Sequence, residues 1–328
     1  MKPRRSQLIA GSLPVLAGVL AASPARAQET WGKTTSWLPE NQFAGAEPID
    51  AMFNFILYLT GGTLIAVFAC LIVFLVRYRH RPGRRAVYIH GNPKLEIVWT
   101  LIPTVIMVLI AVFSQNMWAD MKSPQRMKDL DNPVRVDVAA KQFEWHFRYP
   151  GPDGTFGKTH ILWRNDDTGS TGHFGLMRGD PEEFMDPDLF ETLQNDPDRA
   201  RLLEPDPYAV DDICVPRMFV PVGRPVHVTL TSRDVLHSFS LKEFRVKQDI
   251  VPGMTTHVWF QARKTSDQVI GREASGEPKP FDIICAELCG QGHYTMRGQM
   301  FVISQPKFDT WLTDNTPEFE EDDEEEEE

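Results

Sequence analysis

Side chains that bind metals are concentrated in a short segment near the C-terminal end of the chain. Two thiols, an imidazole, a thioether and a carboxylate fall within twelve residues: Cys285, Glu287, Cys289, His293 and Met296. Thiolate and thioether are soft donors, and imidazole suits copper, so this donor set favours copper over zinc. A further imidazole, His237, lies upstream within Asp-Val-Leu-His-Ser-Phe and would complete a site for two metal ions.

Three alternatives to copper fit the same segment on local chemistry alone. The two cysteines could form a disulfide in an oxidising compartment, or they could join His293 in a zinc site. The Cys, His and Met positions are also three or four residues apart, as on one face of a buried helix. Gly290 and Gly292 favour a loop over a helix. A disulfide accounts for neither His293 nor Met296.

The N-terminal segment has the pattern of an export signal. Basic residues precede an apolar run over residues 8–22, and Ala-Arg-Ala at 25–27 supplies the small residues of a cleavage site. The apolar run is short for a membrane span. We therefore predict a signal peptide over residues 1–27, which would place the folded part in an oxidising compartment.

The chain is acidic, with a formal net charge of −11 over 328 residues. Acidic side chains are concentrated in residues 180–212 and in the C-terminal run 318–328. Runs of this kind are typically solvated and mobile. Their charge excludes nucleic acid as a natural partner and favours a basic protein.

Two apolar stretches, residues 51–76 and 97–117, are long enough to cross a bilayer. The loop between them carries many Arg and Lys residues and, up to Lys94, no acidic residue. Basic loops stay in the cytoplasm by the positive-inside rule. We predict a transmembrane helical hairpin over residues 51–121, preceded by an exported lead-in over residues 28–50 and followed by an exported domain.

Beyond the hairpin, apolar residues alternate with polar ones, which is typical of half-buried strands. The stretches with this pattern are residues 134–138, 143–147, 218–231, 256–262, 281–285 and 299–304. Short strands without intervening helical repeats indicate an antiparallel sandwich or barrel. Residues 306–313 are predicted to form a short helix.

The pattern C-x-E-x-C-x3-H-x2-M, preceded by D-V-L-H-S-F, resembles the dinuclear CuA loop of cytochrome c oxidase subunit II. The resemblance covers roughly residues 45–145 and 213–313. It implies a cupredoxin-like Greek-key β-barrel over residues 122–316, with an acidic insertion at about 151–212 that has no counterpart in the family. The acidic residues 317–328 are then a disordered tail.

The resemblance also assigns roles to individual residues. It implies that the two imidazoles each bind one copper ion, the two thiolates bridge them, and the thioether is a weak axial ligand. The glutamate would give its backbone carbonyl to copper and its carboxylate to a Mg or Mn ion shared with the large subunit. The residues concerned are His237, Cys285, Glu287, Cys289, His293 and Met296.

Glu96 begins a run, E-x-x-W-T-x-x-P, that is similar to a segment at the cytoplasmic mouth of the family's proton pathway. A carboxylate at the membrane edge suits proton collection. The alternative is an ordinary carboxylate at a helix N-terminus, which the helix dipole favours.

The family resemblance predicts an oxidoreductase subunit that transfers electrons without itself reducing oxygen. Its partners would be a c-type cytochrome donor, the haem-bearing large oxidase subunit and further oxidase subunits. The chain would be a multi-pass protein of the bacterial inner membrane, with its N-terminus and copper domain on the periplasmic side. The alternatives are a copper-containing small subunit of a nitric oxide reductase and a membrane-tethered copper carrier.

The chain departs from the family pattern where electrons would enter. The family's run is Gln-Trp-x-Trp, whereas here Phe143 takes the first Trp position and Trp145 the second. Residues two apart on a strand share a face, so either ring is a candidate for the donor's landing site. Arg148 and Arg233 replace acidic residues of the family's docking face.

The remaining histidines have no neighbouring donors in the sequence, and we predict ordinary surface or core roles for them. They include His146, His160, His173, His227 and His257. Cys70 and Cys214 are similarly expected to act as small apolar residues.

Overall fold

The computed structural model describes residues 38–85, 87–197 and 199–317, and two long helices come first in it. Helix α1 spans Glu47–Arg77 and helix α2 spans Pro93–Lys122. The predicted signal peptide at 1–27, residues 28–37 of the predicted lead-in at 28–50 and the acidic tail beyond residue 317 lie outside the described residues.

Both helices are long and apolar enough to cross a membrane. At 1.5 Å per residue each is about 45 Å long, which exceeds the roughly 30 Å of the hydrocarbon core. No residue of either helix is buried against protein. Helix α2 begins earlier than the apolar run because the Asn92 side chain accepts hydrogen bonds from the backbone of Lys94 and Leu95. Such a cap satisfies free N–H groups of the first turn.

Two five-stranded sheets follow the helices in the described part of the chain. Their strands are β1 Val134–Lys141, β2 Glu144–Tyr149, β3 Ile213–Val215, β4 Met218–Pro221, β5 Pro225–Ser232, β6 His237–Leu241, β7 Val246–Ile250, β8 Thr256–Gln261, β9 Phe281–Cys285 and β10 Arg297–Ile303. The first sheet has the order β3-β2-β1-β5-β8 and the second β4-β10-β9-β6-β7. The predicted fold class, two apolar helices followed by an all-β cupredoxin-like domain, is confirmed.

Two details of the strand prediction were wrong. Strand β1 pairs with β5 in parallel, as does β4 with β10, so the sheets are mixed. Parallel neighbours need a crossover connection, and here the chain leaves the first sheet between β1 and β5 to form the insertion and β4. Residues 218–231 are two strands, because a turn containing Gly223 at φ +79° separates β4 from β5.

Alternate residues of the strands fill the space between the sheets. On β5 the burial alternates strictly between buried and half-buried positions. The lead-in also reaches this core, since the Phe43 ring meets Trp259 edge-on at 4.8 Å. Asp50 of α1 accepts from the Arg245 guanidinium at 2.6 Å, which joins the first helix to the β domain. Helix α8, Gln305–Asn315, confirms the predicted C-terminal helix.

The insertion at 151–212 has its own short helices and a small core. They are α4 Gly169–Phe174, α5 Pro181–Phe184 and α6 Pro187–Gln194. The small core contains Trp163, Met177, Met185 and Leu193, and α5 and α6 pack on it. The expectation of a uniformly solvated acidic run was wrong for Asp206 and Asp212, which are buried. Asp212 accepts from the Arg148 guanidinium at 3.2 Å and from the Gly157 backbone at 2.9 Å. Arg148 therefore links β2 to the insertion. Helices α3 Pro124–Lys128 and α7 Ser266–Val269 complete the set of α-helices among the described residues.

Candidate metal centre

The two thiols of residues 285–296, the metal-binding or copper loop, lie side by side at one end of the second sheet. Cys285 ends β9, and β9 pairs with β6, which begins at His237. This pairing puts Cys285 Sγ 3.8 Å from His237 Nδ1. Cys285 Sγ is also 3.8 Å from Cys289 Sγ, four residues further along the loop.

The second thiol has a different imidazole. Cys289 Sγ lies 3.6 Å from His293 Nδ1 and 3.7 Å from Met296 Sδ. The backbone carbonyl of Glu287 accepts from the Cys285 thiol at 3.2 Å. All six predicted metal-site residues are thus in one cluster, arranged as two thiols with one imidazole on each.

The donor spacing fits metal ions bound between these atoms. Bonds of about 2.3 Å to sulfur and 2.0–2.1 Å to nitrogen give tetrahedral edges of about 3.5–3.8 Å. The sulfur–sulfur and sulfur–nitrogen distances of 3.6–3.8 Å match those edges. The disulfide and buried-helix alternatives are wrong for this structure, because both cysteines are free and the segment is a loop with one 3-10 turn, His293–Thr295.

The ring of His237 is held by a carboxylate. His237 Nε2 lies 2.7 Å from Asp234 Oδ1, and Asp234 also accepts from the backbone of Gln142 and Val235. Burial acts to raise the pKa of Asp234, but these hydrogen bonds outweigh it and lower the pKa. The ionised carboxylate keeps the ring proton on Nε2, so the Nδ1 lone pair faces Cys285.

The Cys289 thiol is protonated at neutral pH without a metal. Burial and the neighbouring Cys285 raise the pKa of Cys289 to about 11. Metal ions bind the thiolate, so loading this site releases protons.

The turn between β1 and β2 packs on the metal-binding loop. The Gln142 side-chain amide donates to the Cys289 carbonyl. The Phe143 ring lies so close to Gly292 that a Cβ there would be 2.5 Å from a ring carbon. Gly290 is also close to this ring and has φ +133°, a value that favours glycine. The two glycines therefore let the turn and the loop approach.

The prediction that Phe143 and Trp145 share one strand face was wrong. Phe143 belongs to the turn, because β2 begins only at Glu144. Its side chain is half-buried. Trp145 points into the core, is 3% exposed, and its ring centre lies 6.4 Å from that of His237. Of these two rings, only Phe143 borders both solvent and the metal-binding loop.

Glu96 lies apart from this cluster. It is exposed in the first turn of α2, whereas Lys122 at the other end of the helix donates to the Lys247 carbonyl of the β domain at 3.0 Å. The structure therefore places Glu96 at the end of the helix remote from the metal-binding loop.

Two histidines do have neighbouring donors, contrary to the prediction. The rings of His146 and His173 lie 3.8 Å apart, and the Glu144 carboxylate faces both. His146 and Glu144 are on β2, but His173 is on α4 of the insertion, so sequence spacing held no signal of the contact. Alternation along β2 was the one available clue, since it sets Glu144 and His146 on the face opposite Trp145.

Comparisons with known proteins give one family. A family model described as cytochrome c oxidase subunit II, transmembrane domain, matches residues 33–117, and one described as the periplasmic domain of that subunit matches residues 200–303. The second match contains all six predicted metal-site residues. Residues 118–199, with β1, β2 and most of the insertion, fall outside both matches.

Full-length relatives agree with the family models. An alternative cytochrome c oxidase subunit 2 from Bradyrhizobium diazoefficiens is 30% identical over 268 residues, covering 80% of this chain and 79% of that protein. A cytochrome c oxidase subunit 2 from Cereibacter sphaeroides is 29% identical over 320 residues, covering 94% and 92%. The solved periplasmic domain of cytochrome oxidase subunit II from Bradyrhizobium japonicum aligns with a TM-score of 0.33 at 24% identity, covering 57% of this chain and 94% of that one.

Proposed function

Because the chain belongs to the cytochrome c oxidase subunit II family, we propose that it is the electron-accepting subunit of a membrane-bound oxidase and holds a dinuclear CuA centre. The observation that carries this proposal is the paired donor set. Two free thiols lie 3.8 Å apart, and each faces a different imidazole. A single zinc site would need all four donors around one point, whereas this arrangement suits two ions that share the thiolates.

The residues divide the work of holding copper. Two ions bridged by thiolates would supply a one-electron redox centre. The thiolates would bridge, the imidazoles would each bind one ion, and the thioether and one backbone carbonyl would complete the ligands: Cys285, Cys289, His237, His293, Met296 and Glu287. Four of these donors are buried, and Asp234 holds the His237 ring. A preset site of this kind would need little rearrangement on reduction.

Electrons would come from a c-type cytochrome and leave to a haem-bearing large subunit. The turn at Gln142 and Phe143 is the proposed point of uptake, since it contacts both solvent and the copper loop. Trp145 lies beneath it, next to His237. Trp145→Phe is expected to slow reduction of copper by cytochrome c with normal copper loading, and Phe143→Trp to be tolerated or to speed reduction. Stopped-flow reduction of both variants tests this.

Two carboxylates extend the proposal beyond copper. The half-buried Glu287 side chain would reach a Mg or Mn ion shared with the large subunit. Glu96, at the far end of α2, would collect protons at the cytoplasmic edge. Glu96→Gln should slow turnover and leave copper reduction unchanged. Equal turnover across pH would instead leave Glu96 as a carboxylate favoured by the helix dipole.

The proposed topology puts the basic loop between α1 and α2 in the cytoplasm and the β domain in the periplasm. Cysteine labelling tests it directly in intact cells. A cysteine introduced at Ser275, an exposed loop position of the β domain, should react with a membrane-impermeant reagent. A cysteine introduced at Gly83 of the basic loop should not.

The central experiment measures copper in the purified complex with its haem-bearing partner. We expect two copper ions per chain and the absorption of a thiolate-bridged pair, both lost in Cys285→Ser. Cys214→Ser is the matched control, because Cys214 lies on β3 of the first sheet, whereas Cys285 ends β9 of the second. A single copper, or zinc alone under copper-replete conditions, would refute the proposal. Comparing oxygen with nitric oxide as acceptor then separates an oxidase from a nitric oxide reductase.

A further inference from the structure

The outer face of β2 carries a second set of metal-binding side chains. Strand alternation turns Trp145 into the core and sets Glu144 and His146 on the opposite face. Helix α4 of the insertion covers this face and brings His173 onto His146, with ring centres 3.8 Å apart. The set therefore exists only because the insertion folds back on the sheet.

Its geometry resembles one face of a coordination tetrahedron. Glu144 Oε1 lies 3.5 Å from His146 Nε2 and 3.7 Å from His173 Nε2. Donors of a four-coordinate ion with bonds of about 2.0–2.2 Å are about 3.3–3.6 Å apart. The three donor atoms all lie within 4.8 Å of one another, so small side-chain rotations are enough to enclose an ion.

His146 presents a free nitrogen to this point. Its Nδ1 is 3.1 Å from the Ser170 hydroxyl, which can accept the ring proton. His146 is only 6% exposed. Its other nitrogen, Nε2, is buried and forms no hydrogen bond of normal length among the described residues. A buried ring nitrogen that faces a carboxylate oxygen is stabilised by either a proton or a metal ion between the two atoms.

The surrounding charges leave room for such a cation. His173 Nδ1 is 3.3 Å from Asp166 Oδ1, but Arg233 donates to the same nitrogen and so places the ring proton on Nε2. A metal ion at Nε2 therefore displaces this proton. Arg233 lies 2.7 Å from the same Nδ1 and 2.5 Å from Asp166. Lys141 contacts Glu144 at 3.2 Å and Asp166 at 3.1 Å. When Glu144 binds a metal, Lys141 and Arg233 can both remain in ion pairs with Asp166.

We propose that Glu144, His146 and His173 bind a divalent transition-metal ion of the zinc class, separate from the copper centre, and that this ion fastens the insertion to β2. Two imidazoles and one carboxylate are a common ligand set for zinc, with a fourth position for water. Calcium and magnesium prefer oxygen ligands throughout, so the two imidazoles select against them. Because it contains no thiol, this donor set is also a harder ligand set than the donors of the copper loop.

The test uses the full-length copper-loaded chain, stripped of loosely bound metal and titrated with Zn²⁺ by calorimetry. We expect one Zn²⁺ per chain with unchanged copper content. Glu144→Gln and His173→Gln should each weaken Zn²⁺ binding at least about tenfold, the scale of losing an important group of a metal site. Glu144 is an exposed side chain, so its variant keeps the core intact and serves if His173→Gln fails to fold.

His257→Gln is the matched control. The rings of His227 and His257 also lie close, at 5.2 Å, but neither forms an ion pair among the described residues. The control should bind Zn²⁺ as the wild type does. Equal binding by the wild type, Glu144→Gln and His173→Gln, or an equal loss in His257→Gln, would mean adventitious surface binding and overturn the proposal.

A second measurement tests the fastening role. Zn²⁺ should slow proteolysis within residues 151–212 of the wild type and have no such effect on Glu144→Gln. If Zn²⁺ binds tightly without protecting these residues, the ion does not hold the insertion, and that part of the proposal fails.

Discussion

The inner and outer faces of β2 lie beside two donor clusters of opposite chemical character. The inner cluster, at Cys285 and Cys289, combines thiols with imidazoles, and Asp234 holds one ring in place. The outer cluster, at Glu144, combines a carboxylate with imidazoles, and lysine and arginine surround it. Soft and hard donor sets select different metals. The donor sets on the two sides of β2 would therefore select different metals.

The two clusters also differ in how far the sequence predicted them. Five of the six inner residues lie within twelve positions, and the sixth begins β6, which pairs with β9. Their spacing carried the prediction. His146 and His173 are 27 positions apart and meet only through the fold of the insertion. No local pattern marks such a contact, so the sequence led to the wrong expectation of isolated histidines.

The same contrast holds for the fold. Period-two apolar patterns predicted most strands, because alternation reports directly on a half-buried face. Strand partners are long-range, so the parallel pairing of β1 with β5 was missed. The position of Phe143 was missed for a related reason. Its turn is fixed by contact with Gly290 and Gly292, which lie about 150 residues away in the chain, and register depends on such turn geometry.

The largest expected effect is a loss of metal binding at the inner cluster alone. Cys289→Ser removes a bridging donor, so the spectrum of a copper pair should disappear and copper content should fall below two per chain. Zn²⁺ binding at the outer cluster should be unchanged, because no donor is shared. Metal analysis and calorimetry on one preparation measure both. A parallel loss of Zn²⁺ binding would show that the two sites are coupled.

A smaller effect is expected from the carboxylate that orients His237. In Asp234→Asn the ring loses its charged partner, and copper retention against a chelator should weaken about 10- to 100-fold. Asp249→Asn is the control, since Asp249 is also an aspartate near this end of the sheet but its ion pair is with Lys247 and not with a predicted ligand. If the two variants retain copper equally, Asp234 does not contribute to copper binding.

Next comes the contact between the turn and the copper loop. Gly292→Ala puts a methyl group 2.5 Å from the Phe143 ring, so the loop must shift. Overpacking of this kind costs about 1–3 kcal/mol, and the variant should unfold at lower temperature and release copper faster. Phe143→Ala in the same chain should restore part of the loss, because the clashing ring is gone. Additive losses would mean that the two residues do not interact.

The smallest expected effect concerns the link between β2 and the insertion. Burial raises the pKa of Asp212 to about 7, although the Arg148 guanidinium and the Gly157 amide favour the charged form. In the unfolded chain an aspartate has a pKa of about 3.9. Between about pH 4 and pH 7 the folded protein therefore holds a proton on Asp212 that the unfolded chain has lost. The stabilisation from this proton is complete below about pH 4 and is lost progressively as the pH rises toward about 7.

Hydrogen exchange at the Gly157 amide, which donates to Asp212, reads this link locally. After correction for intrinsic exchange, its protection should fall as pH rises from about 5 to about 8, because the pKa of Asp212 is higher in the folded state than in the unfolded chain. In Asp212→Asn the protection should be independent of pH, because the side chain no longer titrates. Amides of the copper loop should show no such slope in either protein. If Gly157 keeps constant protection in the wild type, Arg148 holds Asp212 charged throughout, and the insertion is fastened by a permanent ion pair.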